Sequence, residues 1–272
     1  MNEYLLGLQG RRVLFAYAIV LILFIILPAL VLVPISISAD DSFVIIPEAF
    51  SLRWYEQLVG DPRWRNALVL SLQVAAVASV MATIAGVLGA IGISRASPKV
   101  AKVLRLIFIA PIIVPLMVIG VGFYMLYARM RLVGSFFPLC LAHAVLVLPF
   151  VMLPVSARLY SIDKRLEWAA ASLGAGPYRT IFRVQLPLLA PSIFAGFVFA
   201  FIFSFDEVVV AQFLSGPRLE TLPRRMWEGI QMGGLEKTIT AVTTAQLLLA
   251  VVAMLIISIW QRRSATKAVS SK

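Results

Sequence analysis

The sequence predicts an all-α fold: a polytopic membrane protein with six transmembrane helices. Three observations carry that expectation. The 272 residues are 61% hydrophobic and only 14% charged, whereas a soluble domain carries about 25% charged residues. Several apolar runs reach the ~20 residues that a helix needs to cross the hydrocarbon of a bilayer. The segments joining those runs alternate in basic content, as the positive-inside rule requires of a protein threaded repeatedly through a membrane.

The six spans fall at residues 13–33, 67–93, 104–127, 137–155, 188–210 and 239–260. The first comes after Arg11-Arg12 and superficially resembles a secretory signal. Its 21 residues exceed the apolar stretch of such a signal, and no small-x-small cleavage site succeeds it, so a retained span is expected. With the N-terminus inside, 15 of the 24 Lys and Arg residues fall in inside segments. Both termini and the long segment between spans four and five are therefore expected in the cytoplasm. The same distribution accounts for the net charge of +11 without nucleic acid. Cys140 is the only cysteine, which excludes an internal disulfide and suits core packing.

The first outside segment, 34–66, holds Trp54, Tyr55 and Trp64, residues suited to a membrane interface. It reads either as a loop with a short surface helix around 52–58 or as a solvated connector. Span two carries Ala82, Gly86 and Ala90 four apart, with Gly89 and Gly92 beside them. Small residues at that spacing let helix backbones approach closely in lipid; packing is the favoured meaning and pore lining the alternative. Span three holds Pro111 and Pro115, then Gly120 and Gly122. Proline removes a backbone bond and kinks a helix, which fits either a static bend or a helix that works in alternating access. Span four contains His143, Pro149 and Pro154. A histidine at that depth faces the bundle interior or a wet cavity, as a packed hydrogen-bonding residue or as a contact for a solute. No second His or Cys cluster accompanies it, so no metal site is expected.

The segment 161–187 is polar, with Arg158, Lys164, Arg165, Arg179 and Arg183 in or beside it, yet it is patterned. Asp163 can cap a helix whose apolar face holds Leu166, Ala169, Ala170 and Leu173. Gly174 stops that helix, Gly176-Pro177 turns the chain, and Pro177 opens a second short helix with Ile181, Phe182 and Val184, expected to end at Pro187. This hairpin either folds back on the bilayer surface or docks another protein. Span five places Asp206 and Glu207 near its outer rim. Adjacent acids there need water, a cation or a partner: they read as a hydrated pair at a helix end or as a negative mouth that attracts a cationic solute. Beyond Gly216 an outside loop with Arg218, Glu220, Arg224, Arg225 and Glu228 runs to Gly233-Gly234, and the last span closes at Trp260 ahead of Gln261-Arg262-Arg263. No phosphate-binding G-x-x-x-x-G-K-[ST] loop occurs, and no nucleophile, base and acid group together, so ATP hydrolysis or other catalysis by this chain is not expected.

Two stretches resemble a known family. Ala169-Ala170, Gly174, Val184 and Leu186-Pro187 fall in register with the EAA loop of binding-protein-dependent ABC importer permeases: Glu-Ala-Ala, three residues, Gly, nine residues, Ile, one residue, Leu-Pro. One position departs, because Trp168 stands where the family has glutamate and the acid Glu167 comes one residue earlier. The second stretch, SFDEVVVAQFLSGP and then TLPRRMWEGIQMG, is similar to the corresponding part of the spermidine/putrescine-type permeases. The resemblance implies a MetI-like ABC type-1 permease domain over 66–260, with a peripheral span and loop ahead of it (1–65) and a cytoplasmic tail behind it (261–272). It implies a bacterial inner-membrane importer subunit that holds no cofactor itself. Two ATP-binding subunits, a second related permease and an extracytoplasmic solute-binding protein would complete the assembly. The hairpin residues Glu167, Trp168, Ala169, Ala170, Gly174, Val184, Leu186 and Pro187 would contact the ATPases, which bind the ATP. Asp206, Glu207 and His143 are the candidates for the solute path. The solute implied is a polyamine or similar small organic cation, with other small amino acid-like or organic solutes as alternatives. A stand-alone secondary carrier is the competing class. Such carriers show inverted repeats or midplane charges, neither of which is evident in this chain.

Overall fold

The computed structural model describes residues 8–40, 45–216, 219–232 and 237–270. These residues form twelve α-helices: α1 (Leu8–Ser36), α2 (Arg53–Gly60), α3 (Pro62–Arg95), α4 (Pro98–Ile113), α5 (Leu116–Arg129), α6 (Phe136–Ser161), α7 (Arg165–Ser172), α8 (Pro177–Thr180), α9 (Leu186–Phe205), α10 (Val209–Leu214), α11 (Leu222–Met232) and α12 (Lys237–Ser270). A π-helical turn, Ile181–Gln185, joins α8 to α9. Among the described residues the only β-pairing is an isolated bridge between Ser38 and Phe50. Five helical runs are long and apolar enough to cross a membrane, and α4 with α5 supplies a sixth if that bent pair counts as one span. The all-helical, multi-span class expected from composition is the one observed.

The described residues divide into two compact units, one drawn from 1–62 and 233–249, the other from 63–232 and 250–272. In the first, α1 presents its apolar side chains outward along most of its length. Its end is tied to α2, where the Ser36 hydroxyl and Tyr55 hydroxyl lie 2.9 Å apart and Trp54 Nε1 donates to Ser38 O at 2.9 Å. Lys237, at the start of α12, is buried here. Its ammonium donates to Asp40 O and sits 5.7 Å from the centre of the Trp54 ring. The short helix expected around 52–58 is α2.

In the second unit α6 is the central rod. α3 and α9 both press glycines onto it at one level: a Cβ on Gly86 would lie 3.0 Å from Val151 Cβ, and one on Gly196 would lie 2.9 Å from Val151 Cα. Val151 is wholly buried between them. The Ala82–Gly86–Ala90 stripe of span two thus faces packed protein, with Ala82 and Ala90 also buried. Such close approach of backbones is how helices gain van der Waals contact where lipid gives no hydrophobic drive. The core around this crossing includes Val74, Val147, Met152, Val155, Leu189 and Ala200.

The structure corrects several of the sequence expectations. Span three is two helices meeting at 103° across Val114-Pro115. Val114 takes φ −75° and ψ 132°, the extended geometry that a succeeding proline imposes. Pro111, by contrast, stays inside α4, and Pro149 and Pro154 stay inside an uninterrupted α6. Pro187 does not end a helix. The chain passes through the π turn, where Leu186 N bonds to Ile181 O, and continues as α9 with Pro187 in its first turn. There the missing N–H is least harmful, because the first turn of a helix has unpaired donors anyway. Span five is likewise shorter than expected: α9 stops at Phe205, and α10 is a separate short helix. The segment expected as an outer loop after Gly216 folds into α11, in which Arg224 pairs with Glu228 at 2.8 Å, while Arg225 pairs at 3.3 Å with Glu220 just ahead of the helix. Burial, with Glu228 alongside, raises the Glu220 carboxyl above its usual range, and Arg225 opposes that rise. Arg218 and Gly233-Gly234 lie outside the described residues.

Replacing Gly196 by valine should lower the stability of the purified protein by about 1–3 kcal/mol, because the added atoms meet backbone that cannot rotate away. Thermal unfolding in detergent checks this. Gly92→Val, at a glycine with open space around its Cβ position, should leave the transition near that of the wild type.

Candidate functional site

Two clusters carry the polar chemistry of the second unit. The first is the hairpin between α6 and α9. Its first helix is set by Asp163, whose Oδ1 accepts from Arg165 N at 2.9 Å and whose carbonyl accepts from Leu166 N at 3.1 Å. The expected capping role of Asp163 is therefore observed, one position ahead of Lys164, the flanking residue of α7. The helix closes on Gly174 at φ +79°. Ala175 N bonds to Ala170 O and Gly174 N to Ala171 O, both at 2.9 Å, the paired bonds of a Schellman motif. A side chain at 174 would be strained in that left-handed conformation, which is why a glycine stands there. Pro177 then begins α8, as expected, and Thr180 Oγ1 reaches back to Gly176 O at 3.2 Å.

The hairpin has two faces of different character. Trp168, at the position where the resemblance expects glutamate, is 67% exposed, and Leu173, Tyr178 and Phe182 are exposed with it. Ala169 is exposed and Ala170 half-buried, so the small pair lies within reach of a neighbouring surface. Glu167 points the other way. Its Oε1 accepts from Gln185 Nε2 at 2.8 Å, and Gln185 Oε1 in turn accepts from Arg95 Nη2 at 3.3 Å. Val184 and Leu186 are half-buried, with Leu186 packed on the core and Pro187 exposed.

The second cluster brings together all three residues expected on a solute path. His143, about two turns into α6, is 1% exposed. Its Nδ1 lies 3.0 Å from Ser204 Oγ on α9, and its Nε2 lies 3.6 Å from Glu207 Oε2. The two acids differ in their surroundings. Glu207 turns its largely buried carboxylate onto the start of α10, accepting from Val210 N at 2.9 and 3.1 Å and from Ala211 N at 3.1 Å. These N–H groups have no partner inside the helix, and a carboxylate oxygen supplies one. Asp206 is exposed. Within the doublet, one acid therefore holds the fold and the other lies exposed on the surface of the chain. Behind them α10 packs against α5, where a Cβ on Gly120 would meet the Phe213 ring at 2.5 Å, and Gly134 N bonds to Leu214 O at 2.9 Å. Among the described residues no group of three His, Cys, Asp or Glu side chains is placed to hold a metal ion.

Three residues of these clusters were not singled out from sequence. Ser204 had a usable signal, since it is a polar residue in an otherwise apolar run, FVFAFIFSF. Gln185 and Arg95 had none. Gln185 aims inward because of the π turn, which no residue type in the segment announces.

Glu207→Gln removes the charge that caps α10 and should lower stability by about 1–3 kcal/mol. Asp206→Asn, at an exposed position, should change it by no more than about 0.5 kcal/mol. Thermal melts of the two variants in the same detergent check the distinction. Equal losses would mean that the two acids share the capping task.

The comparisons with known proteins agree with the architecture. Residues 78–268 match the family model for the binding-protein-dependent transport system inner membrane component. The chain is 30% identical over 217 residues to the putrescine transport system permease protein PotI of Escherichia coli K12, covering 77% of each protein. It is 30% identical over 262 residues to the spermidine/putrescine transport system permease protein PotC of the same strain, covering 95% of this chain and 97% of PotC. A crystal structure of a bacterial ABC transporter involved in alginate import contains a chain that superposes with a TM-score of 0.71 at 15% identity, over 93% of this chain and 97% of that one. Family match, length coverage and helical architecture coincide, and the chain belongs to the inner membrane components of binding-protein-dependent transport systems.

Proposed function

We propose that this chain is one of two permease subunits of an ATP-driven importer for a polyamine or a similar small organic cation. The observation that carries the solute class is the exposed Asp206 beside the buried His143–Ser204–Glu207 cluster. An exposed carboxylate at a helix break concentrates cations and repels anions, and two relatives of this chain are named for putrescine and spermidine. A related permease would complete the pathway, two ATP-binding subunits would drive it, and an extracytoplasmic binding protein would deliver the solute. The chain sits in the bacterial inner membrane, with both termini and the hairpin in the cytoplasm. It is not itself an enzyme, hydrolysis being the task of the ATPases.

The hairpin is the lever of this mechanism. Trp168, Leu173, Tyr178 and Phe182 form its exposed apolar surface, and Ala169-Ala170 lets a partner approach the backbone. Gly174 fixes the turn, while Val184, Leu186 and Pro187 join it to α9. Closure of the ATPases on nucleotide draws the hairpins together and swings α6 and α9, to which this hairpin is joined at both ends. The spans then open alternately to each side.

A cysteine at Ala169 or Ala170 should crosslink to a co-expressed ATPase subunit, as read by mass spectrometry of the linked band. Absence of a crosslink from both positions would defeat the lever. Asp206→Asn should reduce putrescine uptake in proteoliposomes at least about tenfold, with a much smaller effect on any neutral solute that the assembly carries. Equal effects on both would remove the electrostatic argument.

A further inference from the structure

We infer that Arg95, Gln185 and Glu167 form a polar relay that fastens α3 to the hairpin, making Gln185 a positioning residue for transport. This rests on the hairpin being the ATPase-driven lever. In sequence the hairpin is continuous with α6 and α9 only, and α3 ends some ninety positions before Gln185. The relay supplies the missing connection through side chains: Arg95 is the last residue of α3, Glu167 lies in the first turn of α7, and Gln185 ends the π turn.

The chemistry selects glutamine. Gln185 is 2% exposed, and both its amide atoms are used. A guanidinium only donates and a carboxylate only accepts. The residue between them must therefore accept on one side and donate on the other, which fixes the amide with its oxygen toward Arg95 and its nitrogen toward Glu167. Glutamate at 185 would face Glu167 with like charge, a cation there would face Arg95, and methionine would leave two charged groups without their buried partner. A π turn accommodates an extra residue in a helix and so rotates the residues C-terminal to it. Here it buries Gln185 while Phe182, three positions earlier, stays exposed. The displaced acid also finds its use in this arrangement. With Trp168 at the family's glutamate position, Glu167 is turned inward to hold the lever rather than outward to a partner. A displacement of the hairpin consequently reaches α3 as well as the two helices covalently joined to it.

The test uses the membrane complex purified through a tag on this chain, spin-labelled at Ser94→Cys on α3 and Ala171→Cys on α7. Cys140, the only native cysteine of this chain, is buried, so the chain itself offers no competing accessible thiol. With Gln185 present, the distance between labels should be single and narrow both without nucleotide and after trapping with ATP and vanadate. Gln185→Met and Gln185→Glu should each broaden or shift it, and should lower putrescine uptake per ATP hydrolysed about tenfold. The exchanged pair, Glu167→Gln with Gln185→Glu, should restore both readouts, because glutamine at 167 donates to the carboxylate at 185 while Arg95 still pairs with it. A distance unchanged in Gln185→Met, or an exchanged pair that stays broad, overturns the relay. The nucleotide-free distance needs neither transported solute nor ATPase contact, so a wild-type complex that moves no putrescine, or that fails to crosslink at Ala169 and Ala170, counts against the solute or the lever and leaves the fastening to be decided by the labels in that state.

Discussion

Every interruption of a helix at membrane depth strands peptide groups that lipid cannot hydrogen-bond. The architecture of this chain depends on how it meets that constraint. Among the described residues three interruptions lie in or beside its spans, and each is settled differently. At Val114-Pro115 the chain turns through 103°, and Val114 N still finds Ala110 O at 2.9 Å. At 181–187 the helix shifts to π pairing and passes Pro187 without stopping. At 206–208 it halts, and a carboxylate takes over the donors of the next helix. The third solution is the most demanding, because it places a charge at the break and needs a wall of protein behind it. The tight contacts of α10 with α5, and of α9 with α6, provide that wall.

The central rod explains why the breaks are tolerable. Gly86 and Gly196 bring two backbones against Val151 from two neighbouring helices, and His143, two turns earlier on α6, ties the same rod to Ser204. Rigidity is thus concentrated where α3, α6 and α9 meet. The hairpin inherits it, being a continuation of α6 on one side and of α9 on the other. Its own shape is set locally by the Asp163 cap and the Gly174 Schellman closure, so its exposed aromatic surface is held in place before any partner arrives.

Much of this was legible in the residues. Apolar run lengths gave the spans, and the Asp163, Gly174 and Pro177 signals gave the hairpin because capping and turn chemistry are local properties. The small-residue stripe of span two indicated close packing but not the partner, since the identity of the facing helix is a tertiary fact. Span five was drawn too long. Phe203 through Val210 is apolar apart from Ser204 and the acids, and apolarity alone does not reveal that a carboxylate has ended one helix and begun another. Pro187 misled for a related reason, since the same residue stops a helix in its interior and is tolerated in its first turn, and only the register of the preceding π turn distinguishes the cases. The angle at Val114-Pro115 exceeded the expected kink, whereas three other prolines in α4 and α6 bent nothing enough to divide a helix. Neighbouring packing, absent from the sequence, decides among them.

The division of labour between Asp206 and Glu207 alters how doublets of this kind should be interpreted across related transporters. Counting both acids as a single negative field overlooks that the Glu207 carboxylate faces inward and is held by backbone N–H groups. Variation at the second acid reports on how a short helix is anchored, and, under the proposed solute path, variation at the first is the place to seek a change in the charge of the cargo.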